Sequence, residues 1–188
     1  MARLSRSPKQ QRREGRTLTY DQARRLLKEV EGHRHEALYS LILSTGLRRG
    51  ETLGLKWQDF DEAARVFSVR RQLKREGGKL VTADTKTARS RRSVNLPRGL
   101  VNLLVEHRGR QEEEREVVDE LWTDTGFIFT TNFGTAVNPR NLNRDFAIIC
   151  QRAGLDHWHP HDYADLRVMP TPIHNSSSVM VNDLKWSA

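Results

Sequence analysis

Apolar residues recur every three or four positions in four segments, which predicts amphipathic helices. The first helix is expected from about Tyr20 to Glu31, because Thr19 and Gln22 have the spacing of a capping box. The second should end at Gly46, since glycine tolerates positive φ, and the fourth should begin at Asn138. The residues that carry the pattern in the four segments are Ala23, Leu26, Leu27 and Val30; Ala37, Leu38, Leu41, Ile42 and Thr45; Leu100, Val101, Leu103, Leu104, Val117, Val118 and Leu121; and Leu142, Phe146, Ile149, Cys150 and Ala153.

Strand signals lie between the second and third predicted helices. The segments 65–73 and 79–83 flank Glu76-Gly77-Gly78, which is the pattern of a β-hairpin. A third extended segment, 91–96, stops at Pro97. We therefore predict an α+β fold that is mostly helical and contains a small three-stranded antiparallel sheet.

Length and composition fit a globular domain without membrane segments. The chain has 188 residues, of which 36% are hydrophobic and 30% charged, enough for one domain with a core. No apolar run approaches the roughly 20 residues needed to cross a bilayer, so we expect a cytoplasmic protein with no membrane partner. The single cysteine, Cys150, excludes an internal disulfide framework and is expected to be a small buried hydrophobe.

The whole chain has a net charge of +8, which favours a polyanionic partner. The positive charge is concentrated in two parts of the chain. Residues 1–16 are predicted to be a basic arm or a linker remnant. The second concentration is either a solvated basic face or a nucleic-acid surface, since binding needs clustered charge to displace counterions. Its members face only two acids, Glu76 and Asp84, and are Arg70, Arg71, Lys74, Arg75, Lys79, Lys86, Arg89, Arg91 and Arg92.

The last part of the chain differs in character from the rest. Beyond His161, Pro170 and Pro172 interrupt any helix, and apolar residues no longer repeat at a useful period. We therefore expect residues 17–161 to form the domain and residues 162–188 to be a divergent, disordered tail.

Arg48 follows the end of the second predicted helix, and Glu51 lies three residues later in a short helical turn. At that spacing the carboxylate can orient the arginine, whose planar fork suits a phosphate. An arginine in this position is either a phosphate ligand or a structural salt-bridge partner.

A metal site is the rival interpretation of His157, His159 and His161, whose alternating spacing could gather an ion. Zinc sites use four ligands of mixed type, and no nearby cysteine or paired carboxylate completes a set. We therefore expect no metal.

Four features in order resemble the tyrosine recombinases of the phage-integrase family, over about residues 17–162. They are Thr45-Gly46-Leu47-Arg48-Arg49-Gly50-Glu51, the run from Lys86 to Pro97, Gly126-Phe127-Ile128-Phe129, and His159-Pro160-His161-Asp162. The resemblance implies an integrase-type catalytic domain whose C-terminal helices are missing. It also implies attack of a tyrosine on a DNA phosphodiester, a 3′-phosphotyrosyl link and no metal or cofactor.

The resemblance assigns roles to three residues. Arg48 matches an arginine that stabilises the charged transition state, and Lys86 matches the lysine that protonates the leaving 5′ oxygen. His161 matches the histidine that opens the second motif, but Ala164 stands where the family has an arginine. An alternative alignment places Asp165-Leu166-Arg167 on the motif and loses the histidine.

None of the tyrosines, Tyr20, Tyr39 and Tyr163, stands in a setting like that of the nucleophile. We therefore expect a DNA-binding integrase fragment, truncated at both ends and defective in strand cleavage. The alternative is a non-catalytic module that modulates a complete recombinase. The expected partners are double-stranded DNA and a full-length recombinase, with no small-molecule substrate, and the expected DNA contacts are Arg71, Lys74, Arg89, Arg92, Arg140 and Arg144.

Overall fold

The computed structural model of the chain describes residues 18–84 and 91–155. Within these residues the chain forms five α-helices and five β-strands, in the order three helices, five strands and two helices. Short 3-10 turns follow α3 at Trp57–Asp59 and α4 at Asp119–Leu121. The elements are α1 Tyr20–Glu29, α2 Glu36–Thr45, α3 Arg49–Leu53, β1 Phe60–Asp61, β2 Val66–Val69, β3 Arg71–Glu76, β4 Lys79–Asp84, β5 Arg92–Asn95, α4 Arg98–Val118 and α5 Pro139–Arg152.

The predicted helix ends are confirmed at three places. Thr19 and Gln22 form the reciprocal capping box of α1, although this helix ends at Glu29, two residues before the predicted limit. Gly46 closes α2 at φ 64°, and its N–H donates to the carbonyl of Ile42 at 2.8 Å. The Asn138 side chain accepts the Arg140 N–H at 3.0 Å and so caps α5.

The strands form a three-stranded antiparallel sheet, ordered β1-β2-β5, and a separate hairpin of β3 and β4. The prediction of one strand over residues 65–73 was wrong, because the chain divides at Arg70 and its halves pair with different partners. The close approach of α3 to β3 accounts for the division. A Cβ on Gly54 would lie 2.9 Å from the Cα of Gln72, so only glycine lets β3 pack there.

One hydrophobic core joins the elements. Every residue of α2 from Glu36 to Leu43 is buried, so this helix lies at the centre of the fold. Cys150 is buried in α5 as predicted, and burial raises the pKa of its thiol to about 12, which keeps the thiol protonated. Other fully buried side chains are Leu26, Leu38, Leu41, Ile42, Phe67, Leu104, Phe129 and Phe146.

The apolar pattern of α4 does not continue into the core beyond Gln111. Val117, in the last turn of α4, and Leu121, in the 3-10 turn that follows, are 84% and 69% exposed, because this part of the chain extends past the packed elements. The acidic middle of α4 is exposed as predicted except for Glu114, which forms an ion pair with Arg34. No helix in the described ranges combines the length and the apolar character that a membrane span requires.

Candidate functional site

Arg48 occupies the junction between α2 and α3. The backbone before it is fixed by the left-handed Gly46 and by Leu47, which is buried in the core. The Arg48 side chain itself is 67% exposed. A fixed backbone and an exposed guanidinium are properties of a residue that is suited to bind an anion.

Glu51 lies in α3 and contacts two arginines with a side chain that is only 6% exposed. Its Oε2 accepts the backbone N–H of Arg48 at 2.9 Å, while its Oε1 lies 3.5 Å from Arg48 Nη1. Arg92, on β5, donates from Nη1 to Oε1 at 3.1 Å and from Nη2 to Oε2 at 2.8 Å. The guanidinium that Glu51 binds most closely is therefore that of Arg92.

The charge state of Glu51 follows from these contacts. Burial alone would raise the pKa of the carboxyl, but the hydrogen bonds from Arg92 and from the Arg48 backbone outweigh it and lower the pKa below its usual value. The same hydrogen bond raises the pKa of Arg92. Both groups are therefore charged at neutral pH.

A cleft of about 610 Å³ lies beside this cluster, between β2, β3 and β5. We call it the arginine cleft, since four arginines and one carboxylate line it. Two of these arginines are paired with buried carboxylates, Arg71 with Asp59 and Arg92 with Glu51, and the Arg71 side chain is only 15% exposed. The lining residues are Ser68, Val69, Arg70, Arg71, Asp84, Arg91, Arg92 and Ser93.

The remaining residues predicted from the sequence are distributed more widely. Lys74 pairs with Glu76 on the exposed part of the hairpin. Arg140 and Arg144 are exposed on α5, where Arg144 Nη2 donates to Asn141 at 2.8 Å. The residues that lie outside the described ranges are Lys86, Arg89, His157, His159, His161, Tyr163, Ala164 and Arg167.

The two described tyrosines pack in the fold, as predicted. Tyr39 is 1% exposed, and its hydroxyl donates to Asp145 Oδ2 at 2.8 Å. Tyr20 is partly buried against the core.

A second polar cluster joins the residues before α2 to α5, and no motif in the sequence predicted it. His33 Nε2 lies 3.3 Å from Asp145 Oδ1, and His35 Nδ1 lies 3.0 Å from Asp145 Oδ2. Two histidines and a carboxylate this close could hold a metal. However, His33 Nδ1 accepts the His35 N–H at 3.1 Å, which places the proton of the neutral ring on Nε2. The cluster is therefore better described as a hydrogen-bonded tie to α5.

Comparisons with known proteins bear directly on this fold and site. The sequence model of the Phage integrase family matches residues 16–168. A "Tyrosine recombinase XerC-like" protein of Caldanaerobacter subterraneus subsp. tengcongensis is 34% identical over 79% of this chain and 42% of its own length. An "Integrase" of Streptomyces ambofaciens is 29% identical over 80% of this chain and 40% of its own length. The chain thus spans less than half the length of these curated relatives.

Solved structures agree in fold. The Tn1549 transposon integrase, in complex with transposon right end DNA, superposes with a TM-score of 0.68 at 18% identity, over 84% of this chain and 53% of that one. The XerA recombinase gives a TM-score of 0.61 at 21% identity, over 79% of this chain and 47% of that one. Since the family model covers most of the sequence and the fold agrees, the chain belongs to the phage integrase family and contains the catalytic-domain fold of the site-specific tyrosine recombinases.

Proposed function

We propose that this chain binds double-stranded DNA and holds a backbone phosphate on Arg48, as the part of an integrase that serves site-specific recombination and DNA integration. The observation that carries the proposal is the fixed backbone and exposed guanidinium of Arg48, whose partner Glu51 also binds Arg92 of the arginine cleft. The DNA bound to the Tn1549 transposon integrase, which has a similar fold, supports it.

The chemistry of strand exchange explains the value of a fixed arginine at this point. Charge builds on the non-bridging oxygens of the phosphate when an oxygen nucleophile attacks, so a donor already in place stabilises the transition state more than the ground state. The backbone of Arg48 is already in place, because its N–H is bound to Glu51, so only the side chain has to adjust to a phosphate. Lys86 as general acid and His161 as the opening residue of the second motif complete the proposed catalytic set.

DNA contacts are proposed from two surfaces. One is formed by the arginines of the arginine cleft other than Arg92, whose head is bound to Glu51, together with Lys74 of β3. Arg89 is added to this set from the sequence alone. The other is α5, where Arg140, Arg144 and Ile148 recur every fourth position on an exposed face. Arginine and an exposed aliphatic side chain are suited to phosphates, base edges and thymine methyl groups.

Salt dependence tests the phosphate contact. The chain should bind labelled duplex in the non-specific range, roughly 10⁻⁴ to 10⁻⁶ M at physiological salt. Arg48→Gln should weaken binding several-fold at low salt and reduce the slope of log K against log salt by about 0.9, the value for one phosphate. Arg115→Gln removes the same charge from the end of α4, away from the cleft, and should leave that slope nearly unchanged. Equal slopes for the chain and for Arg48→Gln would exclude the proposed contact.

We further propose that this polypeptide by itself does not form the covalent DNA link. The alternative function is that of a non-catalytic DNA-binding module that modulates a complete recombinase. The support is that the Tyr39 hydroxyl is buried against Asp145 and that Tyr20 packs on the core. A nicked suicide duplex carrying a family-type core site, followed by a denaturing gel, should give no protein–DNA adduct. An adduct that is lost in Tyr163→Phe would overturn this part of the proposal.

A further inference from the structure

We infer that Arg92 promotes DNA binding without touching DNA: by occupying the Glu51 carboxylate, it leaves the Arg48 guanidinium available for a phosphate. This inference rests on the proposed function of Arg48. It makes Arg92 a positioning residue that acts through Glu51.

Two guanidinium groups compete for one carboxylate at this site. Arg92 engages both oxygens of Glu51 with its two outer nitrogens, at 3.1 and 2.8 Å, which is the bidentate arrangement. Arg48 has a single side-chain contact at 3.5 Å, the upper limit of a hydrogen bond. Arg92 is therefore the preferred partner, and Glu51 holds the head of Arg48 only through this one long contact.

The strand and the helix fix this preference. Arg92 pairs with Val69 in the β2–β5 ladder, so its backbone is held by the sheet. Its side chain is 37% exposed, whereas that of Arg48 is 67% exposed. Glu51 engages one N–H of each outer nitrogen of Arg92, whereas it contacts only one nitrogen of Arg48, at 3.5 Å, so Arg48 has more of its donors available for a phosphate.

Removing Arg92 would change the partner of Glu51. A buried carboxylate requires a charged or hydrogen-bonding partner. The nearest remaining one is Arg48, three residues earlier on the same helical turn, and a rotamer change would close the 3.5 Å gap. Arg48 would then be bound to Glu51 and withdrawn from the phosphate, although only Arg92 had been mutated.

The test compares the salt dependence of duplex binding among single and double variants. Arg92→Gln should lose affinity several-fold at low salt and lower the slope by about 0.9, as Arg48→Gln does. The double variant R48Q/R92Q should show no further loss. In E51Q/R92Q, where residue 51 has no charge to capture Arg48, affinity should return to within about twofold of the unmodified chain, since one phosphate contact is restored.

Two controls keep the result specific. E112Q/R92Q restores the same net charge through an exposed carboxylate of α4, and it should not recover affinity. Circular dichroism checks that each variant is folded. If Arg92→Gln is unfolded, R92K is compared with E51Q/R92K instead. Lysine lacks the two-pronged contact of arginine, so R92K should lose less affinity for the duplex, and E51Q should restore that affinity too.

Direct contact of Arg92 with DNA predicts a different pattern. R48Q/R92Q would then lower the slope by about 1.8, twice the value for one phosphate, and E51Q would not restore binding. That result would overturn the inference and leave the proposed role of Arg48 intact. An unchanged slope in Arg48→Gln would instead overturn both.

Discussion

Glu51 makes the stability of the protein depend on pH in a defined direction. The pKa of this carboxyl is lowered from 4.5 in the folded chain, so the folded state holds its proton less tightly than the unfolded state does. The contribution of Glu51 is therefore complete above about pH 4.5 and is lost as the pH falls through the lowered folded value.

We expect the difference in unfolding free energy between the unmodified chain and Glu51→Gln to be largest near pH 7 and to shrink below about pH 4.5. Urea denaturation at a series of pH values measures it. Glu106→Gln, which removes an exposed carboxylate of α4, controls for the loss of negative charge. A difference that grows on acidification would contradict the ion pair described for Glu51.

Local spacing was sufficient to predict one contact of the site and insufficient for the others. Arg48 and Glu51 are three residues apart, so helical geometry alone brings them together. Arg92 is 41 residues beyond Glu51, and their contact depends on how β5 docks beside α3. Likewise, the contacts of His33 and His35 with Asp145 depend on the packing of α5, which no local pattern encodes.

At the scale of elements, Gly54 controls the distance between α3 and β3. Its missing Cβ would lie 2.9 Å from Gln72 Cα and 3.0 Å from the Arg71 carbonyl, and these backbone atoms have little freedom to move. Gly54→Ala should therefore lower the unfolding free energy by about 1 to 3 kcal/mol.

Gly109 offers the matched control for this substitution. It lies within α4, and a Cβ there would meet no atom within 4 Å. Gly109→Ala should raise stability by roughly 0.5 to 1 kcal/mol, because alanine is the better helix former. Thermal or chemical unfolding of both variants decides the point, and equal effects at the two positions would refute the close approach of α3 to β3.

The helices were easier to predict than the strand pairing for the same physical reason. The caps at Thr19, Gly46 and Asn138 act within one turn of the chain, so their residue types reveal them. Strand partners are chosen by tertiary packing. The division at Arg70 follows from contacts between β3 and α3, and residues 65–73 carry no turn signal that would indicate it.

At the scale of the whole molecule, α1, α2, β2, α4 and α5 all contribute to one continuous core. A shared core predicts that the described part unfolds in a single cooperative step. Far-ultraviolet circular dichroism and calorimetry should report one transition, with equal calorimetric and van't Hoff enthalpies. Two separated transitions would contradict the single shared core.

The contact of Tyr39 with Asp145, together with one between Arg49 and Asn143, has a consequence for the kind of nucleic acid that the protein accepts. Arg49, the residue after Arg48, donates a hydrogen bond to Asn143 of α5, and Tyr39 of α2 donates one to Asp145 of α5. These two hydrogen bonds hold α5 in position relative to Arg48. Under the proposed function, the span from Arg48 to the exposed face of α5 is then constant. A duplex whose phosphates and groove lie at another spacing, such as an A-form hybrid of RNA and DNA, cannot satisfy both contacts together. The protein would thus select the shape of its duplex before any base is read.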